Sequence, residues 1–148
     1  MPKNTAGSAA IPECIKPTVL DLFAGAGGLS LGFAQAGYRV VGGIDNSVPA
    51  MDTFEANIGD ARAMVRDLRN DDFADVEEFV GPAGVDVVVG GPSCQGFSTS
   101  GGLSRKTGRD EGDPRNRLFL NYLDLVDRLQ PSWIVFEIVV TKLPHYVL

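Results

Sequence analysis

The sequence predicts an α/β fold built on a doubly wound, mostly parallel sheet, and three observations carry that expectation. Short β-branched runs alternate with segments of helical spacing along most of the chain. One apolar run, Leu20-Asp21-Leu22-Phe23, breaks into the turn Ala24-Gly25-Ala26-Gly27-Gly28. A second, Val85 to Val89, breaks into Gly90-Gly91-Pro92-Ser93-Cys94. Right-handed crossovers leave few ways to arrange such units, and a Rossmann-like sheet is the simplest.

The elements follow in order. Thr18 to Phe23 reads as the first strand, and Gly27 to Ala36 as a helix with Leu29, Phe33 and Ala36 on one face, stopped by Gly37. Arg39 to Ile44 is a second strand ending at Asp45. Pro49 to Asn57 is a helix whose proline suits the first turn. Arg62 to Leu68 gives a third strand, and Phe73 to Val80 a short acidic helix closed by Gly81-Pro82. Val85 to Val89 has the strongest strand composition. Asn116 to Leu129 places Leu118, Tyr122, Leu125 and Leu129 at helical spacing, and Pro131 introduces a last strand, Trp133 to Glu137. No helix follows to cover that strand, so its edge and face need a partner and the sheet reads as incomplete.

Composition bounds the function. The chain has 148 residues, 44% hydrophobic and 22% charged, with a net charge of −6, which argues against a surface that grips nucleic acid throughout. Between Arg105 and Arg117, however, five positive residues face three negative ones, directly after the cysteine loop. A solvated loop and a lid that touches phosphates both fit. Residues 1–17 read as a flexible leader, 18–137 as a partial catalytic domain and 138–148 as a divergent tail. No apolar stretch has the length of a bilayer span, so no membrane partner is expected. Cys14 and Cys94 form no disulfide framework, and the expected location is cytoplasmic.

Two loops carry the chemistry. Gly25 and Gly27 follow a strand and open a helix, where backbone must turn tightly and approach a ligand, and Asp45 lies twenty residues beyond Gly25. An acid at the end of the second strand can accept hydrogen bonds from ribose hydroxyls. Ser30 stands where a pyrophosphate cradle prefers glycine or alanine, so a nicotinamide cofactor is less favoured and S-adenosylmethionine fits better. Asp21 is either a local cap or a group near the cofactor's cationic end. Cys94 could be a small buried hydrophobe, but its glycine-flanked turn and following cations suit a reactive thiolate. Glu137 either satisfies nearby backbone or stands at the carboxyl edge as an acid. A thiol and an acid beside a methyl donor define covalent activation of a pyrimidine for methylation at carbon 5.

These residues resemble the DNA cytosine-5 methyltransferases. The match rests on Asp21 to Gly28, Asp45 with Asn57, Gly91-Pro92-Ser93-Cys94-Gln95-Gly96-Phe97-Ser98, Asp113-Pro114-Arg115-Asn116, and Phe136-Glu137. The resemblance covers Thr18 to Glu137, the amino-terminal half of a catalytic domain, and implies an incomplete S-adenosylmethionine-dependent methyltransferase fold. It implies Cys94 as nucleophile and Glu137 as the acid at ring nitrogen 3. Phe23, Ala24, Gly25, Gly27 and Gly28 would frame the cofactor, with Asp45 and Asn46 at its ribose, Asp67 at its adenine amino group and Leu118 packed against it. Double-stranded DNA is the implied substrate, and a complementary carboxy-terminal subunit the implied partner, since the target-recognition domain is absent. Alternatives are a remnant that binds cofactor or a partner without turnover, and an RNA cytosine-5 methyltransferase. The sequence departs from the family at Ser93, where a second proline is usual, and at Ile138-Val139, where the family has asparagine and valine after the glutamate.

Overall fold

The computed structural model describes residues 16–92 and 114–137, with side chains from 117 in the second segment. Cys94 and the loop around it, most of the leader and the tail lie outside them. Five strands form one sheet in the order β3-β2-β1-β4-β5, and every neighbouring pair is parallel. They are β1 (Thr18–Leu22), β2 (Arg39–Asp45), β3 (Arg62–Val65), β4 (Val87–Gly90) and β5 (Trp133–Phe136). The helices are α1 (Gly28–Gln35), α2 (Val48–Asn57), α3 (Ala74–Val80) and α4 (Pro114–Leu129). The chain runs outward from β1 to β2 and β3, then returns to β4 on the other side of β1. In open parallel sheets ligands bind outside the strand ends at such a reversal, here the carboxyl ends of β1 and β4.

Strand alternation divides the core between two faces. On one, Leu20, Leu22, Ile44 and Val88 pack with Phe73 just before α3, with Val76 of α3 and with Tyr122 and Leu125 of α4. On the other, Val19, Val87 and Val89 meet Phe33 and Tyr38, while Met51 and Phe54 of α2 and Ile58 just after it pack with Ala24 and Val40. Gly42 and Gly43 let helices approach β2 from both sides. A methyl group on Gly42 would lie 2.5 Å from the Phe79 ring, and one on Gly43 would lie 2.4 Å from the Phe54 ring. The register shifts by one residue between Val19 and Leu20, so Leu20 pairs with Gly42 and Leu22 with Ile44.

One expectation for α1 needs correction. Leu29 is 37% exposed and Ala36 is also exposed, while Ser30 is fully buried. A polar anchor, described below, turns Ser30 inward, so that of the predicted apolar face only Phe33 packs on the core. At the edge of the described sheet, β5 leaves Trp133 73% exposed, with Ile134 and Val135 exposed beside it.

Candidate active site

The registers bring the carboxyl ends of all five strands to one level. Leu22 pairs with both Ile44 and Gly90, Ile44 with Met64, and Gly90 with Phe136. Residues that follow these ends therefore share one rim, and they include Phe23 to Gly28, Asp45 with Asn46, Asp67, Gly91 and Glu137.

The glycine turn is held at both ends by carboxylates. Phe23 and Gly25 adopt left-handed backbone at φ of 63° and 53°, the first a costly conformation for an aromatic residue. The Gly25 amide donates to Asp45 Oδ2 at 3.0 Å, and the Ser47 amide donates to Asp45 Oδ1 at 2.9 Å. Each carboxylate oxygen keeps a further lone pair for a ligand hydroxyl. Asn57 of α2 donates to the Ala26 carbonyl at 3.1 Å, fastening the outer side of the turn. Gly27 turns at φ 87° with Phe54 beneath it, 2.8 Å from where a methyl group would stand. Above Gly25 and Gly28 a methyl group would meet nothing within 4 Å, so the turn presents bare backbone to open space. Ala24 is buried, with its amide bonded to the Ile44 carbonyl, and Asn46 is exposed.

Asp21 holds the other end of the turn. It is 1% exposed, and its Oδ2 accepts the Ser30 amide at 3.2 Å and the Ser30 hydroxyl at 2.7 Å. A side chain on β1 thus satisfies an amide in the first turn of α1, whose N-cap, Gly27, has no side chain to do so. This is the cap alternative of the sequence reading. Ser30, read from sequence as a departure from a pyrophosphate cradle, is the partner that makes it possible.

Burial raises the Asp21 carboxyl to about 6, with the Asp45 charge adding to the rise and the two Ser30 bonds opposing it. The folded value lies above the ordinary 3.8, so the folded state holds this proton more tightly. Its contribution to stability is therefore full below about pH 4 and is lost as pH rises through about 6. Asp21→Asn should remove that slope. Wild-type stability relative to the variant should fall by up to about 3 kcal/mol between pH 4 and pH 7 in urea titrations. Parallel pH curves for the two proteins would refute it.

Asp67 lies in the loop two residues past β3, not on the strand. Its Oδ1 accepts the Arg69 amide at 2.9 Å, and hydrogen bonds from the Arg69 guanidinium hold its carboxyl below the usual range. Leu118 is half-buried on α4. Three residues on, the buried Asn121 donates to the Leu68 carbonyl at 2.6 Å, tying that helix to the Asp67 loop. Sequence reasoning missed Asn121, although its place in the predicted helix, one turn from Leu118, was a usable signal.

Glu137 continues β5, its amide bonded to the Gly90 carbonyl at 2.9 Å. Its carboxylate lies over Gly91, where a methyl group would stand 2.7 Å from Oε2. Phe136 is fixed from behind by edge-on contacts with Phe119 at 5.4 Å and Tyr122 at 5.1 Å between ring centroids. The acid therefore sits against the first residue of the segment that leads to Cys94, three positions later in the chain. Cys94 itself lies outside the described residues.

Comparison with known proteins agrees with this geometry. The pattern of the C-5 cytosine-specific DNA methylases matches residues 17–145. The type II methyltransferase M1.HphI of Haemophilus parahaemolyticus is 39% identical over 132 residues, covering 89% of this chain and 35% of that protein. M.HgiGI of Herpetosiphon aurantiacus is 37% identical over 121 residues, covering 80% of this chain and 86% of that protein. A crystal structure described as a DNA modification methyltransferase encoded within an E. coli prophage superposes with a TM-score of 0.69 at 30% identity, over 88% of this chain and 34% of that one. The chain spans about a third of M1.HphI and of the prophage protein, and most of M.HgiGI. With its parallel sheet, glycine turn and rim carboxylates, this chain belongs to the C-5 cytosine-specific DNA methylase family.

Proposed function

We propose that this chain supplies the cofactor and nucleophile part of a DNA cytosine-5 methyltransferase and turns over together with a complementary carboxy-terminal half. The observation that carries the reading is the Glu137 carboxylate against Gly91, on the same rim as the glycine turn. The donor set fits S-adenosylmethionine. Backbone at Gly25, Gly27 and Gly28 would take its amino-acid end, Asp45 with Asn46 its ribose, and Asp67 its adenine amino group, with Phe23 and Leu118 flanking the ring. When bound, the cofactor supplies an electrophilic methyl group on a sulfonium.

The chain's own residues do the activation. Carbon 5 of cytosine is too poor a nucleophile unaided. The Cys94 thiolate bonds to carbon 6 while Glu137 delivers a proton to ring nitrogen 3, leaving carbon 5 with enamine character. Once carbon 5 is methylated and has lost its proton to a base, the carbon–sulfur bond breaks and nitrogen 3 returns its proton to Glu137. The target base must leave the stack, a cost of roughly a few kcal/mol. Among the described residues no helix is long and apolar enough to cross a membrane.

Duplex DNA carrying 5-fluorocytosine tests the reading, because fluorine at carbon 5 blocks the elimination that frees the enzyme. The chain mixed with a carboxy-terminal half from a relative and S-adenosylmethionine should form a covalent adduct stable to denaturation. Cys94→Ser should form none. No adduct with any partner would leave a non-catalytic remnant, and an adduct formed only with RNA would reassign the substrate.

A further inference from the structure

Arg66 follows β3 directly and commits its whole guanidinium to the loop that leads into α3. Nε donates to both carboxylate oxygens of Asp75 at 2.9 and 2.7 Å, and Nη1 to the carbonyls of Asp67 and Asn70 at 3.0 and 3.1 Å. Nη2 donates to the carbonyl of Asp72. The side chain is 10% exposed, with its guanidinium carbon 5.2 Å from the centre of the Phe73 ring. An arginine so enclosed, bonded to three carbonyls of one loop, is a post around which residues 67–75 are wound. From the other side, Asn121 holds the Leu68 carbonyl and Arg117 pairs with Asp71 at 2.9 Å. The loop backbone is thus fixed at Asp67, Leu68, Asn70 and Asp72, while the Asp67 carboxylate, paired on its outer side with the Arg69 guanidinium, stays 41% exposed.

We infer that Arg66 is a positioning residue for adenine recognition, fixing through the loop carbonyls where the Asp67 acceptor stands. The inference rests on the proposed role of Asp67 at the adenine amino group. A fixed acceptor favours a base that presents an amino donor over one that presents a carbonyl, because a misplaced or repelled partner leaves polar groups unpaired.

The test compares the affinity of the chain for 5′-methylthioadenosine and 5′-methylthioinosine by calorimetry. These ligands differ at the amino group, replaced by a carbonyl, and at the adjoining ring nitrogen 1, which changes from acceptor to donor. Wild type should prefer the adenine ligand, and Asp67→Ala should abolish the preference. Arg66→Met keeps the stem over Phe73 and removes the donors, and it should reduce the preference roughly tenfold. Arg66→Lys should restore part of it. Val19→Ala, expected to lower the melting temperature by opening the core on the opposite face of the sheet, should leave the ratio unchanged. Loss of preference in Asp67→Ala with wild-type preference in Arg66→Met would overturn the inference while the role of Asp67 stood. Undiminished preference in Asp67→Ala would remove that role and the inference with it. Should Arg66→Met not fold, Arg66→Lys carries the test, since an ammonium cannot reach partners spread from Asp67 to Asp75. An unchanged ratio in that variant overturns the inference.

Discussion

Gly90→Ala should destabilise this fold by about 2 kcal/mol or more, read as a shift of the urea midpoint at unchanged slope. Gly90 ends β4 in the middle of the sheet, paired with Leu22 on one side and Phe136 on the other. A methyl group there would stand 2.5 Å from the Leu22 carbonyl oxygen and 3.1 Å from the Tyr122 ring. Neither neighbour can yield cheaply. The carbonyl belongs to β1, the central strand, and Tyr122 is 1% exposed with its hydroxyl 3.4 Å from the carbonyls of Val88 and Val135. Relief requires β1 and β4 to part or α4 to lift. The entropic benefit of replacing glycine, about 0.4–1 kcal/mol, is too small to offset that. A loss below about 0.5 kcal/mol, the size of an ordinary surface change, would mean the strands are not this close.

One residue further on, the same substitution should act on chemistry and not on stability. In Gly91→Ala the obstructed atom is Oε2 of Glu137, 2.7 Å from the added methyl, with the Glu137 Cβ at 3.4 Å. Glu137 is exposed and its side chain can swing away, so the fold should melt within about 0.5 kcal/mol of wild type. The carboxyl would then leave its place beside the thiol segment. With the complementary half present, transfer of labelled methyl groups to duplex DNA should fall about 100-fold, the lower end of what a positioned acid contributes. Binding of S-adenosylmethionine should be unchanged. A normal transfer rate in a folded Gly91→Ala protein would mean that Glu137 does not work from this position.

The contrast between these neighbours shows where sequence reasoning stopped. Both glycines were legible as the break between a strand and the cysteine segment. Which one meets rigid backbone and which meets a movable acid depends on the register of β4 with β1 and β5. The glycine turn was more legible, because its parts are close in sequence. Gly25 and Asp45 are twenty residues apart, and parallel pairing of β1 with β2 is enough to bring them into contact. The inward face of α1 was legible only at Phe33, for a related reason. Apolar spacing favoured Leu29, but a buried carboxylate nine residues upstream claims Ser30, and an unpaired buried acid would cost more than an exposed leucine.

Arg66 was invisible in sequence. A basic residue next to the acidic stretch Asp67 to Asp75 looks like solvated charge, and only the closed loop reveals that one guanidinium serves four residues. Asp67 itself was placed on a strand that ends two residues earlier.

By itself, then, the amino-acid sequence determined the α/β class, the order of strands and helices, the glycine turn and the family. These rest on hydrophobic period and turn chemistry, which act over a few residues, and on the small set of allowed crossovers. Tertiary structure alone decided how α1 is rotated, how the Asp67 loop is braced and which glycine faces Glu137. Each of those depends on polar groups meeting across strand registers and helix faces, where a shift of one residue changes every partner.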